Sequence, residues 1–235
     1  MRASGSNCFA SYARVLREDS SEYDRLLATL TINVTSFFRN PATYDSVATL
    51  VLPELWDAEA LAPLRVWSAG CATGEEVYSL SVLIHDHVAR NGGARSLRRV
   101  SILGTDIDRA SIATARSGRY PAGAFAGMAP SIRDRCFPLN GDIRTVVPAL
   151  SRMSHFEQGD LLDGSAQPAM PMNLIVCRNV VIYFTRTAQE ALFSRFHELL
   201  LPGGFLVLGK VETLLGKSRE MFAPVSSRER IFRRL

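Results

Sequence analysis

The sequence contains few of the residues that build metal sites or disulfide frameworks. Its 235 residues include four cysteines and four histidines, and neither a C-x-x-C pair nor another ligand motif groups them. We therefore expect no metal site, and we expect reduced, mainly structural thiols rather than disulfide bonds. A Ser-His-Asp or Cys-His arrangement for nucleophilic catalysis is not evident either.

Long apolar runs and a strong net charge are also missing. The sequence has no run of about 18 apolar residues, and its first residues lack the order of a secretory signal, so we expect a cytoplasmic protein without direct membrane insertion. The 27 basic and 23 acidic residues leave a net charge of +4, without a continuous basic stripe. Nucleic acid is therefore not an expected partner. The hydrophobic content of 47% is enough for a sizeable core.

An alternation of strand-like and helix-like segments begins at Leu64. Such an alternation is typical of a parallel sheet covered on both faces, so we predict an α/β, doubly wound, Rossmann-like fold. The predicted strands are Leu64–Ala69, Val100–Thr105, Met153–Glu157, Asn173–Cys177 and Phe205–Gly209, and the predicted helices are Glu75–Ala89, Asp108–Ser117 and Arg186–Leu201. Two further runs, Phe222–Val225 and Arg230–Leu235, predict a terminal antiparallel hairpin.

Other segments precede and interrupt this alternation. Apolar residues at helical spacing within residues 7–30, and again from Ala42 to Ala58 after Pro41, predict a small N-terminal helical domain. We place this domain and its linker at residues 1–60, and the α/β domain at residues 61–235. Prolines interrupt short apolar pieces between about residues 120 and 154, which indicates a small inserted subdomain.

Two of the predicted strand ends suit a ligand. After the first strand, Gly70 and Gly74 allow a sharp turn and a close backbone approach before a helix with free N–H groups; the alternative is a simple connection. After the next strand, the carboxylate of Asp106 can accept hydrogen bonds from ribose hydroxyls. The alternative is that Asp106 or Asp108 caps the following helix, and Asp108 suits that role better.

Polar residues mark two more segments. Arg178 and Asn179 follow a buried strand at its carboxyl end, where ligands bind in open parallel sheets. The segment Thr31–Pro41 alternates small polar residues and an arginine with aromatics. By itself this second segment is best explained by helix capping through Thr35, Ser36 or Asn40.

Taken together and in order, these segments resemble the CheR chemotaxis methyltransferase family over about residues 7–235. The matching pieces are Asn-x-Thr-x-Phe-Phe-Arg, Trp-Ser-Ala-x-x-x-Thr-Gly-Glu-Glu, Asp-Ile-Asp and Cys-Arg-Asn-Val-x-Ile-Tyr-Phe. The resemblance implies a class I methyltransferase sheet with a helical N-terminal domain. It also implies S-adenosylmethionine as the cofactor, S-adenosylhomocysteine as the product, and methyl esterification of glutamate side chains on the cytoplasmic domain of methyl-accepting chemotaxis receptors. We expect the protein to be a monomer.

The resemblance also assigns roles to individual residues of this sequence. The residues that it implies for cofactor binding are Asn33, Thr35, Arg39, Gly70, Glu76, Asp106, Asp160, Leu161, Asn179 and Val180. For the transfer itself, Tyr183 would stand near the methyl group, and Arg39 or Arg178 would orient the glutamate carboxylate.

The chain departs from the family pattern in places. The helical part before Asn33 is shorter than is usual in the family, which bears on how the protein contacts a receptor helix. The insertion is also compact, and this predicts an enzyme that needs no docking peptide at the receptor C-terminus. Where the family often carries Gly-His-Ser-Glu, this sequence has Gly209, Lys210, Val211 and Glu212.

Other functions remain open at this point. The same fold would suit a methyltransferase of another protein or of a small molecule, or a catalytically silent module that binds the cofactor or its product as a signal. An NAD dehydrogenase is disfavoured, because the loop at residues 68–74 departs from G-x-G-x-x-G and because the terminal hairpin does not suit that class.

Overall fold

The computed structural model describes residues 6, 8–19, 21–22, 25–26, 35–56, 62–91 and 94–235. The strands are β1 Leu64–Ala69, β2 Val100–Asp106, β3 Arg119–Pro121, β4 Leu139–Asn140, β5 Ile143–Thr145, β6 Ser154–Gln158, β7 Met172–Cys177, β8 Leu200–Leu208, β9 Phe222–Ser226 and β10 Ile231–Arg234. The α-helices are α1 Phe9–Glu18, α2 Pro41–Ser46, α3 Leu52–Leu55, α4 Glu75–Asn91, α5 Arg109–Ser117, α6 Pro130–Cys136, α7 Pro148–Ser151, α8 Arg186–Leu199 and α9 Ser218–Met221. A π-helix at Val47–Val51 joins α2 to α3, and 3-10 helices lie at Ala94–Arg99, Ala122–Phe125 and Val181–Tyr183.

The main sheet has the strand order β6-β2-β1-β7-β8-β10-β9 within the described part of the chain. The strands from β6 to β8 pair in parallel, whereas β10 pairs antiparallel with both β8 and β9. This arrangement confirms the predicted Rossmann-like class I methyltransferase sheet, including its terminal hairpin. Helices lie in the connections from β1 to β2, from β2 to β6 and from β7 to β8, which is the usual form of crossover in a parallel sheet.

Apolar side chains are buried on both faces of the main sheet. Val66 packs into the cluster on one face and the adjacent Trp67 into the cluster on the other. Leu174 and Ile175 of β7 alternate in the same way. Because successive side chains of a strand point to opposite faces, these strands are mainly apolar along their length, as expected for strands in the middle of a sheet that is covered on both sides.

Some boundaries differ from the sequence-based prediction. The helix predicted to reach Leu201 ends at Leu199, and β8 begins at Leu200 rather than Phe205. Residues 201–204 include a Pro-Gly-Gly turn signal, and the register shifts across them: Met172 of β7 pairs with Leu200, whereas Leu174 pairs with Phe205. The helical run from Pro41 ends at Leu55 and contains the π-helix, which the sequence did not indicate.

The insertion forms a small antiparallel sheet with the order β3-β5-β4, which confirms the small inserted subdomain. At the N-terminus α1 is present, while most of the predicted helical segment at 23–30 lies outside the described residues. The predicted boundary between the two domains, at residues 60 and 61, lies outside them as well.

Candidate functional site

The loop after β1 brings its backbone close to the opposite wall of a cavity. Gly70 has a φ of 81°, and a Cβ atom on it would lie 2.4 Å from Cγ2 of Val180. The N–H groups of Gly70 and Cys71 both donate to the carbonyl of Thr105, at 2.8 and 3.0 Å. The loop is thus anchored to the end of β2, and only glycine fits at its first position without strain.

The two aspartates after β2 have different surroundings. Asp106 accepts hydrogen bonds from the N–H groups of Ala72 at 2.8 Å and of Asp108 at 3.0 Å. Burial raises its pKa, although these N–H groups act in the opposite direction. Asp108 accepts from the N–H of Ala110 at 2.9 Å and is the N-cap of α5, which confirms its predicted capping role. Asp106 lines the cavity, and its carboxylate oxygens keep lone pairs for a ligand.

Arg178 ties the end of β7 to the segment before α2. Its guanidinium donates to the carbonyl of Arg39 at 2.7 Å and to Oδ1 of Asn40 at 2.8 Å. It also lies 3.3 Å from Oε2 of Glu76, and its Nε has no hydrogen-bond partner among the described residues. With 3% of its side chain exposed, Arg178 holds two walls of the cavity together, and its predicted contact with a substrate carboxylate stays a prediction.

Asn40 does not have the capping role that the sequence allows for it. It occupies the N-cap position of α2 with a φ of 63°, but its side chain makes no capping hydrogen bond. The side-chain oxygen accepts from Arg178 instead. The capping explanation is therefore wrong for Asn40, because a long-range ion-pair network competes for the same oxygen.

Glu76 brings a buried carboxylate to the cavity from the first turn of α4. It accepts a hydrogen bond from the hydroxyl of Ser68 at 2.9 Å and pairs with Arg178. Burial raises the pKa of Glu76, and the nearby Arg178 charge partly offsets that effect. The carboxylate is thus oriented by two protein groups and remains at the cavity surface.

The turn after β7 forms a further wall. Asn179 has a φ of 60°, a left-handed conformation that few residues other than glycine adopt readily. The N–H groups of Asn179 and Val180 donate to the carboxylate of Glu212, at 2.9 and 2.8 Å. The sequence analysis did not identify Glu212 as a site residue. The sequence did offer an indication, because Glu212 is the glutamate at the position where the family often has Gly-His-Ser-Glu.

A loop after β6 contributes Asp160 and Leu161 to the same cavity. Asp160 accepts from the N–H of Leu162 at 2.7 Å, and the guanidinium of Arg195 on α8 donates to the carbonyl of Leu161 at 2.6 Å. These bonds fix a loop that has no regular secondary structure. Its acidic and apolar side chains face the cavity together.

The segment before α2 covers the cavity from the N-terminal side. Thr35 and Arg39 line it, while Asn33 lies outside the described residues. Between them, Phe37 is buried against the insertion, stacked on Phe125 at a ring distance of 4.4 Å. The N-terminal segment and the insertion thus share one aromatic cluster next to the cavity.

The cavity has a volume of about 490 Å³ and lies at the carboxyl ends of β1, β2 and β7. Every predicted site residue within the described part of the chain lines it. The lining residues are Thr35, Ser36, Arg39, Tyr44, Gly70, Cys71, Ala72, Glu76, Asp106, Ile107, Gly159, Asp160, Leu161, Leu162, Arg178, Asn179, Val180, Ile182, Tyr183 and Phe184. Of those that the sequence did not single out, Ile107 follows Asp106 directly in the chain, whereas only the fold brings Tyr44 to the cavity.

The cavity fits an adenosyl cofactor with an amino-acid tail. Its volume is within the range of small-molecule sites. The carboxylates of Glu76, Asp106 and Asp160 are acceptors for hydroxyl and ammonium groups, and Leu161 and Val180 offer apolar contacts for a flat ring.

The mouth of the cavity carries exposed apolar and aromatic side chains. Tyr183 is 59% exposed, Ile182 47% and Leu162 46%, and all of them line the cavity. A side chain of a second molecule can therefore reach the cavity past Tyr183.

Two other kinds of site are not found in the described part of the chain. It contains no cluster of three or more potential metal ligands. Among its helices, none combines the length and the apolar character that crossing a bilayer requires.

Comparisons with known proteins agree with this geometry. Residues 33–231 match the family model described as CheR methyltransferase, SAM binding domain. The chain is 34% identical over 207 residues to a chemotaxis protein methyltransferase of Listeria monocytogenes, covering 88% of this chain and 75% of that protein. It is 32% identical to the chemotaxis protein methyltransferase of Salmonella typhimurium over 227 residues, which are 94% of this chain and 75% of that protein.

A third relative is much longer. The chain is 36% identical over 226 residues to an uncharacterized 104.1 kDa protein of Rhodobacter capsulatus. The match covers 96% of this chain but only 23% of that protein. Solved structures are more distant, for example magnesium protoporphyrin IX methyltransferase from Synechocystis, with a TM-score of 0.38 and 20% identity over 83% of this chain and 70% of that one. The match to the family model extends from the segment before α2 to β10, and the protein belongs to the CheR methyltransferase family and carries its S-adenosylmethionine-binding domain.

Proposed function

We propose that this protein transfers a methyl group from S-adenosylmethionine to glutamate side chains of chemotaxis receptors and so forms methyl esters. The observation that carries the proposal is one cavity that every predicted site residue within the described part of the chain lines, with Tyr183 at its open mouth. The relatives named chemotaxis protein methyltransferase support the choice of substrate.

The proposed cofactor contacts follow the chemistry of the cavity walls. Asp106 and Glu76 accept hydrogen bonds from hydroxyl or amino groups of the cofactor, and the glycine at Gly70 lets it approach the loop after β1. Asp160, Leu161, Asn179 and Val180 surround its ring and tail, and Thr35 and Arg39 reach it from the segment before α2. For Asn33 the same role is proposed from the family resemblance alone.

The reaction needs positioning more than proton transfer. A glutamate carboxylate has a pKa of about 4.3 and is already ionised at neutral pH, so no general base is required. When bound, the cofactor supplies an electrophilic methyl group on a positively charged sulfur. Methyl transfer would join the carboxylate oxygen to the methyl carbon as the carbon–sulfur bond breaks, and it would cancel the negative charge of the carboxylate and the positive charge of the sulfur. Cavity walls that exclude water and align the carboxylate with the methyl group therefore favour the transfer.

Arg39 and Tyr183 are the proposed contacts of the acceptor glutamate. Arg39 lines the cavity and carries the charge that would orient a carboxylate, and Tyr183 shapes the path at the mouth. Arg178 contributes through Glu76, Asn40 and the backbone of Arg39, which it holds in place.

A label-transfer assay tests the function. The protein is incubated with methyl-labelled cofactor and a receptor cytoplasmic fragment, and the label is then tested for release in alkali, because carboxyl methyl esters hydrolyse and N-methyl groups do not. A matched fragment whose acceptor glutamates are replaced by glutamine should take up no label. Binding of S-adenosylhomocysteine without any base-labile transfer would overturn the proposal and favour a silent binding module.

Two variants test the proposed roles at the mouth. Tyr183→Phe should lower turnover about five-fold, the effect of one hydrogen bond of about 1 kcal/mol. Arg39→Ala should lower it about ten-fold or more, because a charge-assisted hydrogen bond contributes more. Unchanged turnover in either variant would remove that residue from the site.

The proposal extends to the setting of the enzyme. We propose that it acts as a monomer in the cytoplasm and without a docking peptide at the receptor C-terminus, since the strands β3, β4 and β5 of the insertion have only two or three residues each. Receptor fragments with and without their last residues should then be methylated at the same rate. A strong dependence on those residues would contradict this part.

A further inference from the structure

Glu212 is a buried carboxylate that binds backbone groups of two neighbouring strand ends. Its Oε2 accepts from the N–H of Gly209 at 2.6 Å and of Asn179 at 2.9 Å. Its Oε1 accepts from the N–H of Val180 at 2.8 Å and of Val181 at 3.0 Å. The residue is 3% exposed, so water does not share these bonds.

The turn that Glu212 holds is one wall of the cofactor cavity. Asn179 and Val180 line the cavity, whereas Glu212 lies behind them. Asn179 has a left-handed conformation, which asparagine tolerates better than most residues. The tight packing of Val180 against Gly70 leaves little tolerance for a shift of this turn. The carboxylate therefore holds the turn at the position that the cavity requires.

Four N–H donors on two oxygens require a carboxylate. Among the described residues, Glu212 forms no ion pair with a basic side chain, and its charge is stabilised by the backbone N–H groups. A glutamine would offer one carbonyl oxygen and would turn an NH₂ group towards two N–H donors. Those donors would then be buried without acceptors, which is unfavourable.

We propose that Glu212 is a positioning residue for the cofactor: it fixes the turn from Asn179 to Val181 in the conformation that binds S-adenosylmethionine and its product. The inference concerns cofactor binding and does not depend on which substrate is methylated.

Calorimetry with S-adenosylhomocysteine tests this role separately from methyl transfer. Glu212→Gln should raise the Kd at least about ten-fold. The control is Glu229→Gln, because Glu229 is a similarly buried carboxylate, 4% exposed, that does not line the cavity. It accepts from Thr43 at 2.7 Å and pairs with Lys210 and Arg228 at 3.6 and 3.7 Å. The control should leave the Kd within about two-fold. A Glu212→Gln variant that binds with an unchanged Kd overturns the proposal.

Hydrogen exchange of the unmodified protein provides a second test, which does not require the variant to fold. Without ligand, the amides of Val180 and Val181 should exchange slowly, because both donate to Glu212. Fast exchange of these amides would refute the proposal. In a folded Glu212→Gln variant their protection should be lost while that of β1 is kept. If the unmodified protein binds S-adenosylhomocysteine normally but does not methylate receptor fragments, that result counts against the proposed substrate and not against the role of Glu212.

Discussion

Replacing Arg178 by methionine tests the ion pair that joins the segment before α2 to the end of β7. The variant keeps an apolar stem of similar length and leaves the Glu76 carboxylate, 13% exposed, without its partner at 3.3 Å. Removing one partner of a buried pair typically costs about 3–5 kcal/mol in the free energy of unfolding. In a protein of 235 residues such a loss lowers the Tm by about 10 °C.

The loss should depend on pH in a direction that the structure defines. Burial raises the folded-state pKa of Glu76 above its usual value, and the Arg178 charge opposes this rise. Without Arg178 the folded-state pKa rises further, so the folded variant holds a proton that the unfolded chain releases. Stability should therefore decrease as the pH rises from the unfolded pKa to the folded one, and it should level off above that.

Denaturant unfolding at about pH 5 and about pH 8 measures this effect. Arg178→Met should be closer to the unmodified protein at the lower pH, where Glu76 can be neutral. The double variant with Glu76→Gln should recover part of the loss at pH 8, although the carbonyl of Arg39 and the oxygen of Asn40 still lack their donor. A loss that is equal at both pH values, and that Glu76→Gln does not reduce, would refute the reasoning.

Two further substitutions test the loop after β1. Gly70→Ala places a Cβ 2.4 Å from Val180 at a φ of 81° and should weaken S-adenosylhomocysteine binding about ten-fold or more. Adding Val180→Ala should restore part of the affinity. A calorimetric Kd within about two-fold of that of the unmodified protein would contradict this close approach. Tyr120→Phe removes the hydroxyl that donates to the carbonyl of Thr73 at 2.6 Å and should cost about 1 kcal/mol, or about 2–4 °C in Tm; a thermal scan with no shift would show that the insertion does not support the loop.

The order of elements and the edge that carries the site could be predicted from the sequence alone. Short, mainly apolar runs such as Leu64–Ala69 that alternate with helix-like segments indicate strands of a covered parallel sheet, and the carboxyl ends of parallel strands meet at one edge. Gly70 and Asp108 were predicted from local rules as well, because a tight turn and a helix cap depend on neighbouring residues in the chain. The tight turn and the helix cap are local features, and a sequence pattern can predict them because they depend only on neighbouring residues.

Only the tertiary structure decided what the polar side chains of the site are bonded to. The side-chain oxygen of Asn40 accepts from Arg178 and does not cap the helix that follows it. Arg178 also donates to Glu76 and to the carbonyl of Arg39, which are more than 100 positions away in the chain. The sequence places Glu212 in a segment compared with the family, but its hydrogen bonds depend on the ends of β7 and β8 lying side by side. The physical reason is that a buried polar group takes whichever partner the packing brings within reach, and packing between distant segments leaves no period in the sequence.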